Sequence, residues 1–471
     1  MGDLTLFLPE FMVLATVLAA FIGTIFATRY LTVWAVTTLF AVAAVALSVW
    51  SVGWMGEPFF PGYYRVDLFS QLLKVGLTVG LLLTLLSADS LPSVRESSRN
   101  DVPMFFGLAT LGLMMLVSAT ELLTLYVTLE LSAYALYVLA SLHRDQRQGS
   151  EGGAKYLLFG AVASAVTLYG LSFLFGATGS TSLAAIVSTA TTDSSPLIVL
   201  GLVLALSGLF FKLAVLPFHS WAPDTYQSAP HQAATFIGTA SKVAAIGVIA
   251  RVLMLGRDMP EVETLLVVLA VASMTIGNFA ALVQTDLKRL LAWSTVAHAG
   301  YVLLGLMTLN DFGAAAAIFY GLVYMLVAFA TFLVVCVVGS DGHNPTLTSL
   351  AGLYRRAPLI GVLLLAGLFG LAGVPPTPGF TGKWFLFSAA MDDGHFWVVL
   401  IGAVNATISL YYYLRVVKAA YQTTDDAPAL VVSLPNRLAA WLAMATIVFV
   451  GVYPGPLWTL AQGAAKALAV R

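Results

Sequence analysis

Runs of about twenty apolar residues follow one another from residue 4 to residue 460, parted by short polar breaks. A run of that length is what a helix needs to cross the hydrocarbon core of a bilayer. Fourteen spans have approximate limits 4–26, 31–52, 67–88, 103–119, 122–142, 154–175, 196–217, 231–255, 262–282, 287–307, 313–338, 357–389, 396–420 and 436–460. In lipid each segment must satisfy its own backbone N–H and C=O groups, so spans repeated in this way predict helices. The expected fold is an all-α polytopic membrane protein with about 14 transmembrane helices. Charged residues occupy 10% of 471 positions, against about 25% in soluble domains. The longest polar breaks, 89–102, 143–153 and 339–356, leave no room for a sizeable soluble domain. A net charge of -1 offers nucleic acid no attraction. The single cysteine, Cys336, lies in an apolar run, so no internal disulfide and no C-x-x-C motif is available. Asp3 and Glu10, with no early Lys or Arg, make the N-terminus a poor signal peptide, and it reads as the first span.

Loop charge gives an orientation, because cytoplasmic loops are enriched in Lys and Arg. Loops after odd-numbered spans hold Arg29, Arg95, Arg99, Arg144, Arg147, Lys288, Arg289, Arg355, Arg356, Lys418 and Arg437. Loops after even-numbered spans hold only Arg65 and Arg257. Odd loops are therefore expected in the cytoplasm, with both termini on the outer side of a bacterial inner membrane.

Two spans carry breaks. Span 7 reads LFFKLAVLPFHSWAP and breaks at Pro217; span 12 reads LAGVPPTPGFTGKWF and breaks across Pro375, Pro376 and Pro378. Proline removes a backbone donor and clashes with the preceding turn. Such breaks survive in a membrane only where neighbours or water satisfy the freed groups, and paired broken helices point to a transport path. A shift of 164 residues lays span 5 on span 10, matching Leu123 with Leu287 and Tyr137-Val138-Leu139 with Tyr301-Val302-Leu303. The same shift lays span 8 on span 13, matching His231 with His395 and Arg251-Val252 with Arg415-Val416. Copies five spans apart must be inverted in the membrane. The expected organisation is a three-helix segment over 1–95, a first five-helix repeat over 100–256, a second, inverted repeat over 260–420, and helix 14 in 421–471.

Ionisable side chains inside spans are costly and mark function by default. Glu130 lies mid-span in TLYVTLELSAYAL, as a proton-binding carboxylate or as half of a structural ion pair. Lys212 lies a turn before Pro217, where a helix C-terminus favours an ammonium and burial disfavours it. It reads as a proton site, as a cap for the broken helix, or as both. Lys242 sits in the middle of span 8, too far from either end to snorkel comfortably. Lys383 follows the proline cluster, where the positive end of the second half-helix disfavours it; the alternative points it into outer water. Lys155 begins span 6 as a relay member or a cytoplasmic anchor, and Lys74 reads as snorkelling from the outer end of span 3. His298, mid-span in STVAHAGYV, and His219, at the span 7 break, are proton shuttles or satisfied polar contacts. No phosphate loop, catalytic Ser/His/Asp arrangement or metal cluster is evident, and the many Phe and Tyr residues read as packing and interface belts.

LPFHSWAPDTYQSAPHQAATFIGTASK, LKRLLAWSTVAHAGYVL and LAGVPPTPGFTGKW resemble the antiporter-like membrane subunits of respiratory complex I, the proton-translocating NADH–quinone oxidoreductase. The resemblance covers nearly the whole chain and is strongest to the subunit N (subunit 2) type. DTYQSAP, TASK and Lys383 favour that type, since the M-type sibling has a glutamate at the span 12 site. The L-type sibling carries a long lateral helix beyond the point, Arg471, where this chain stops. The resemblance implies that Glu130 and Lys212 form an interacting pair on spans 5 and 7. It also implies functional lysines at Lys155, Lys242 and Lys383, and a functional histidine at His298. It implies a proton-pumping subunit with no cofactor or metal of its own. Flavin, iron–sulfur clusters and quinone are expected in partner subunits, so quinone is met only indirectly. The expected partners are the other complex I subunits and the lipid bilayer, with no nucleic acid. Two other readings are an Mrp-type Na⁺/H⁺ antiporter or membrane-bound hydrogenase subunit, and a chiefly structural subunit.

Overall fold

A computed structural model describes the chain apart from residues 1–2, 58–60, 144–146, 191–194, 258, 424–428 and 469–471. Arg144 of the loop-charge pattern and the terminal Arg471 lie outside the described residues. The described residues fold into helices, with isolated β-bridges as the remaining regular pairing among them. Among the described residues, twelve helices are long and apolar enough to cross a membrane. The two expected spans outside that set have physical reasons. Span 10, Leu287–Leu306, is a full-length helix but carries Lys288, Arg289, Ser294, Thr295 and His298. Span 12 is two helices of 15 residues each, Pro358–Ala372 and Pro378–Asp392, neither long enough alone.

Both expected breaks are present. In span 7, Ser207–Leu213 ends in Ala214 with φ +66°, and the chain turns before the next short helix, Trp221–Ser228. In span 12, Pro358–Ala372 ends in Gly373 with φ +84°. A left-handed C-cap of this kind lets the N–H groups beyond the helix take the carbonyls of Phe210, Phe211, Phe369 and Gly370, so that only the very last carbonyls are left for other donors. Span 8, which the sequence predicts as one continuous helix over 231–255, holds a third break. Its two helices, His231–Gly238 and Ala240–Leu253, part at Thr239. A Cβ at Gly238 would stand 2.8 Å from the Phe332 ring, so glycine lets span 11 approach the break. Short helices at Leu183–Ala190 and Gly455–Ala467 flank the spans and were not expected.

The bundle is organised around spans 8 and 11. His231–Gly256 is wholly enclosed and Asp311–Val338 nearly so, whereas Phe396–Tyr421 and Leu434–Val452 turn most of their side chains outward. Glycine sets the closest helix crossings. A Cβ at Gly112 would lie 2.7 Å from the Ser132 nitrogen, and one at Gly277 2.5 Å from the Ala297 nitrogen. Small residues replace the hydrophobic effect as the means of bringing membrane helices together.

These crossings are one of several paired features. Glu121 and Asp286 cap spans 5 and 10 through side-chain bonds, and each sits in an isolated bridge, to Ser182 and Thr346. Leu122 N–H donates to Thr181 O and Leu287 N–H to Pro345 O. Arg251 donates to the carbonyls of Val117 and Ala119 at the end of span 4. Arg415 donates to those of Leu282 and Gln284 at the end of span 9. The matched arginines on spans 8 and 13 thus staple corresponding helix ends. Spans 4–5 correspond to 9–10 one residue further along than the 164-residue shift proposed from sequence. Gly112 pairs with Gly277 and Leu122 with Leu287. The arginines keep the shift of 164, so the second copy is one residue shorter than the first between span 5 or 10 and the arginine.

Candidate functional site

At the breaks in spans 7 and 12 the carbonyl end of the first half-helix is taken by a lysine. Lys242, fully buried just past the span 8 break, donates from Nζ to the Lys212 carbonyl at 2.6 Å and lies 5.1 Å from the Trp221 ring centroid. Lys383 donates from Nζ to the carbonyls of Leu371 and Ala372, both at 2.9 Å, and lies 4.5 Å from the Tyr301 ring. In both places an ammonium sits on the negative end of a half-helix, where charge and hydrogen bonding are satisfied together. This corrects two expectations for Lys383. It is buried rather than in outer water, and it folds back across the break onto the carbonyl end of the first half-helix, away from the positive end of its own.

Lys212 is buried in the last turn before Ala214 and donates from Nζ to Ser132 Oγ at 2.9 Å. Glu130, half-buried, lines one small cavity with Lys212, Tyr137, Ser164 and Phe211, with room for about one water. The two expected partners share this space, and the direct polar contact of the ammonium is with Ser132.

His298 joins the row from span 10. Its Nδ1 lies 2.5 Å from Tyr320 Oη and its Nε2 3.0 Å from Tyr413 Oη, which is itself 2.5 Å from Ser294 Oγ. Thr295 Oγ1 lies 2.9 Å from Tyr324 Oη. A second small cavity is lined by Lys242, Thr295, His298 and Tyr324. The Tyr301 ring stands between His298, 5.8 Å away, and the Lys383 ammonium. Glu130, Lys212, Lys242, His298 and Lys383 therefore form one continuous buried row from span 5 to span 12.

Lys155 is not in that row. Its Nζ pairs with Glu151 at 2.7 Å and Asp224 at 2.8 Å, on an open polar vestibule that also includes Gln227 and Ser228. Arg289 pairs with the other oxygen of Asp224 at 2.6 Å and with Gln227 at 3.0 Å. Partial burial pushes the Asp224 carboxyl up, but the bonds from Lys155 and Arg289 outweigh it and hold the group below the usual carboxylate range. Behind the vestibule Tyr156 stacks on Trp221 at 4.3 Å, and Trp221 underlies Lys242.

Sequence reasoning missed several of these residues. Lys74 does not snorkel: it is fully buried and pairs with Glu10 at 2.8 Å, while Tyr64 donates to the same carboxylate at 2.6 Å. Lys288, counted among loop cations, is fully buried and donates to the Ala229 carbonyl at 2.7 Å, beside His231 Nδ1 at 3.4 Å. Tyr320, Tyr324 and Tyr413 are hydrogen-bonded members of the site rather than packing alone. A signal existed: Tyr320 and Tyr324 are four apart, as are Ser294 and His298, which places each pair on one helix face. His219 is half-buried, with its ring 5.5 Å from Trp293, and lies outside the row.

The broken helices and the lysines seated on them give the chain the architecture of an antiporter-like membrane subunit. Residues 119–409 match the family described as NADH:quinone oxidoreductase/Mrp antiporter, transmembrane, and the chain belongs to that family. Within it the chain is similar to "NADH-quinone oxidoreductase subunit N 2" of Syntrophobacter fumaroxidans, 47% identical over 92% of each chain. It is also similar to subunit N of Halorhodospira halophila, 36% identical over 98% of each. A chain of respiratory complex I from Thermus thermophilus superposes with a TM-score of 0.85 at 34% identity, over 97% of this chain and all of that one. A chain of the Mrp complex from Dietzia, at 22% identity and a TM-score of 0.88, covers 99% of this chain and 98% of its own, and shares the fold.

Proposed function

We propose that this chain is the subunit N of a bacterial complex I and carries protons across the inner membrane, with no redox centre of its own. Protons enter from the cytoplasm at the Lys155–Asp224 vestibule, load Lys242, pass along the His298 and tyrosine cluster to Lys383, and leave outside. Glu130 and Lys212 act as the switch: moving the carboxylate toward or away from the ammonium across the shared cavity changes how firmly the lysine holds its proton. Quinone reduction in partner subunits supplies the drive. The two inverted repeats, 100–256 and 260–420, carry broken spans 7 and 12, and both termini lie outside.

The observation that carries this reading is the continuity of the row: Glu130 and Lys212 line one cavity, Lys242 is bonded to the Lys212 carbonyl, Lys242 and His298 line a second cavity, and the Tyr301 ring lies beside both His298 and Lys383. A structural subunit needs no such continuity, and a bilayer charges heavily for each buried ammonium. The test is Lys242→Met in the assembled complex reconstituted in vesicles. Loss of proton uptake during NADH–quinone turnover supports the reading; uptake per turnover equal to wild type would sink it.

A further inference from the structure

Away from the buried row, the start of span 9 meets the corner between spans 12 and 13. Pro378–Asp392 ends in a Schellman turn: His395 N–H donates to Ala390 O at 2.9 Å, Gly394 N–H to Met391 O at 3.0 Å, and Gly394 takes φ +86°. That turn fixes Asp393 and His395 on one rigid corner. Glu263 reaches them from the first turn of Pro260–Leu282. His395 Nε2 lies 3.0 Å from Glu263 Oε1 and 3.4 Å from Asp393 Oδ2, and the donor atoms of all three lie within 4.8 Å of one another.

We propose that Glu263, Asp393 and His395 form a binding site for a divalent transition-metal ion of the zinc class. Both carboxylates converge on the same imidazole nitrogen. One N–H cannot make two good bonds there, whereas a metal ion can take all three groups at once. Tetrahedral zinc with bonds of about 2.1 Å holds its ligands about 3.4 Å apart, close to the two separations from Nε2. Imidazole with carboxylates suits this ion class. His395 is one-fifth exposed and Glu263 two-fifths, so water completes the shell and the ion has an entry route. Two negative carboxylates and a neutral imidazole bring a divalent ion to charge balance. The occupied site ties span 9 to the span 12–13 corner. Residues about 130 positions apart supply it, which is why no sequence spacing announced it.

The test uses the complex purified from its native membrane, stripped with a chelator, then equilibrated with Zn²⁺ and washed. The expected result is one zinc equivalent per complex lost in His395→Ala and in Glu263→Gln, with NADH–quinone turnover in zinc-free buffer unchanged. Equal zinc retention in wild type and both variants would overturn the site. If His395→Ala fails to assemble, Glu263→Gln decides, because it alters a partly exposed, conservatively replaced group. Zinc content is read independently of proton uptake, so failure of the proton reading would not be mistaken for failure here.

Discussion

Lys242 seats its ammonium on the main-chain carbonyl of Lys212, 2.6 Å away, so one lysine of the row is held by the backbone of another. The side chain of Lys212 takes no part in that bond, and its own ammonium goes to Ser132. The two lysines are thus coupled through helix geometry as well as charge.

Lys212→Ala keeps the carbonyl that seats Lys242, whereas Lys242→Met removes the seated charge. A charged hydrogen bond contributes about 1.5–3 kcal/mol, which as a barrier corresponds to about tenfold or more in rate. Proton uptake by vesicles is expected to fall at least that far in Lys242→Met and to a lesser extent in Lys212→Ala. The reverse order would argue against a central role for Lys242.

Ser132→Ala leaves the Lys212 ammonium facing only the cavity it shares with Glu130. A several-fold loss of coupled turnover is expected, and the double variant with Glu130→Gln should lose less than the product of the single losses. Additive effects, measured as NADH–quinone rates in assembled complex, would mean that the serine and the carboxylate do not act on one ammonium.

Tyr320→Phe and Tyr413→Phe each remove one hydroxyl from His298 without opening a cavity. Assembly should be normal, uptake slower, and the solvent deuterium isotope effect on turnover larger than in wild type. An unchanged rate and isotope effect in both variants would reduce these tyrosines to packing.

The Glu10–Lys74 pair tests stability rather than transport. Breaking one partner of a buried pair costs about 3–5 kcal/mol, while replacing both by apolar groups is often neutral. Glu10→Leu or Lys74→Met alone should lower the yield and thermal stability of the assembled complex. The double variant should recover most of the loss. A double variant worse than either single would show that the pair does more than hold spans 1 and 3 together.

The spans were legible because membrane thickness fixes their length, and the breaks in spans 7 and 12 because proline announces them. The break at Thr239 was not, since its only local sign is Gly238, and glycine is frequent in membrane helices. Glu130, Lys212, Lys242, His298 and Lys383 could be found as costly polar groups in apolar runs. Their contacts could not, because a long side chain can turn either way across a break, as Lys383 does. Lys74 and Lys288 misled for a related reason. Both lie near span ends, where snorkelling is the usual fate, and only the packing of other helices over them closes the way out. Lys155 was legible as a polar group at the start of span 6, but its place on the vestibule rim depends on Asp224, 69 residues away.

The row of lysines passes from helix to helix, from span 5 to span 12, with Lys212, Lys242 and Lys383 each beside a break inside its span. Moving one elementary charge fully across the membrane takes about 2.3 kcal/mol per 100 mV, and a transfer along the plane takes almost none of it. On the proposed relay, steps between Lys212, Lys242, His298 and Lys383 would therefore be nearly electrically silent. On the same proposal the work against the membrane potential would fall on the entry leg from the Lys155–Asp224 rim and on the exit leg beyond Lys383. Voltage should slow this subunit at its two doors and leave the corridor between them unaffected.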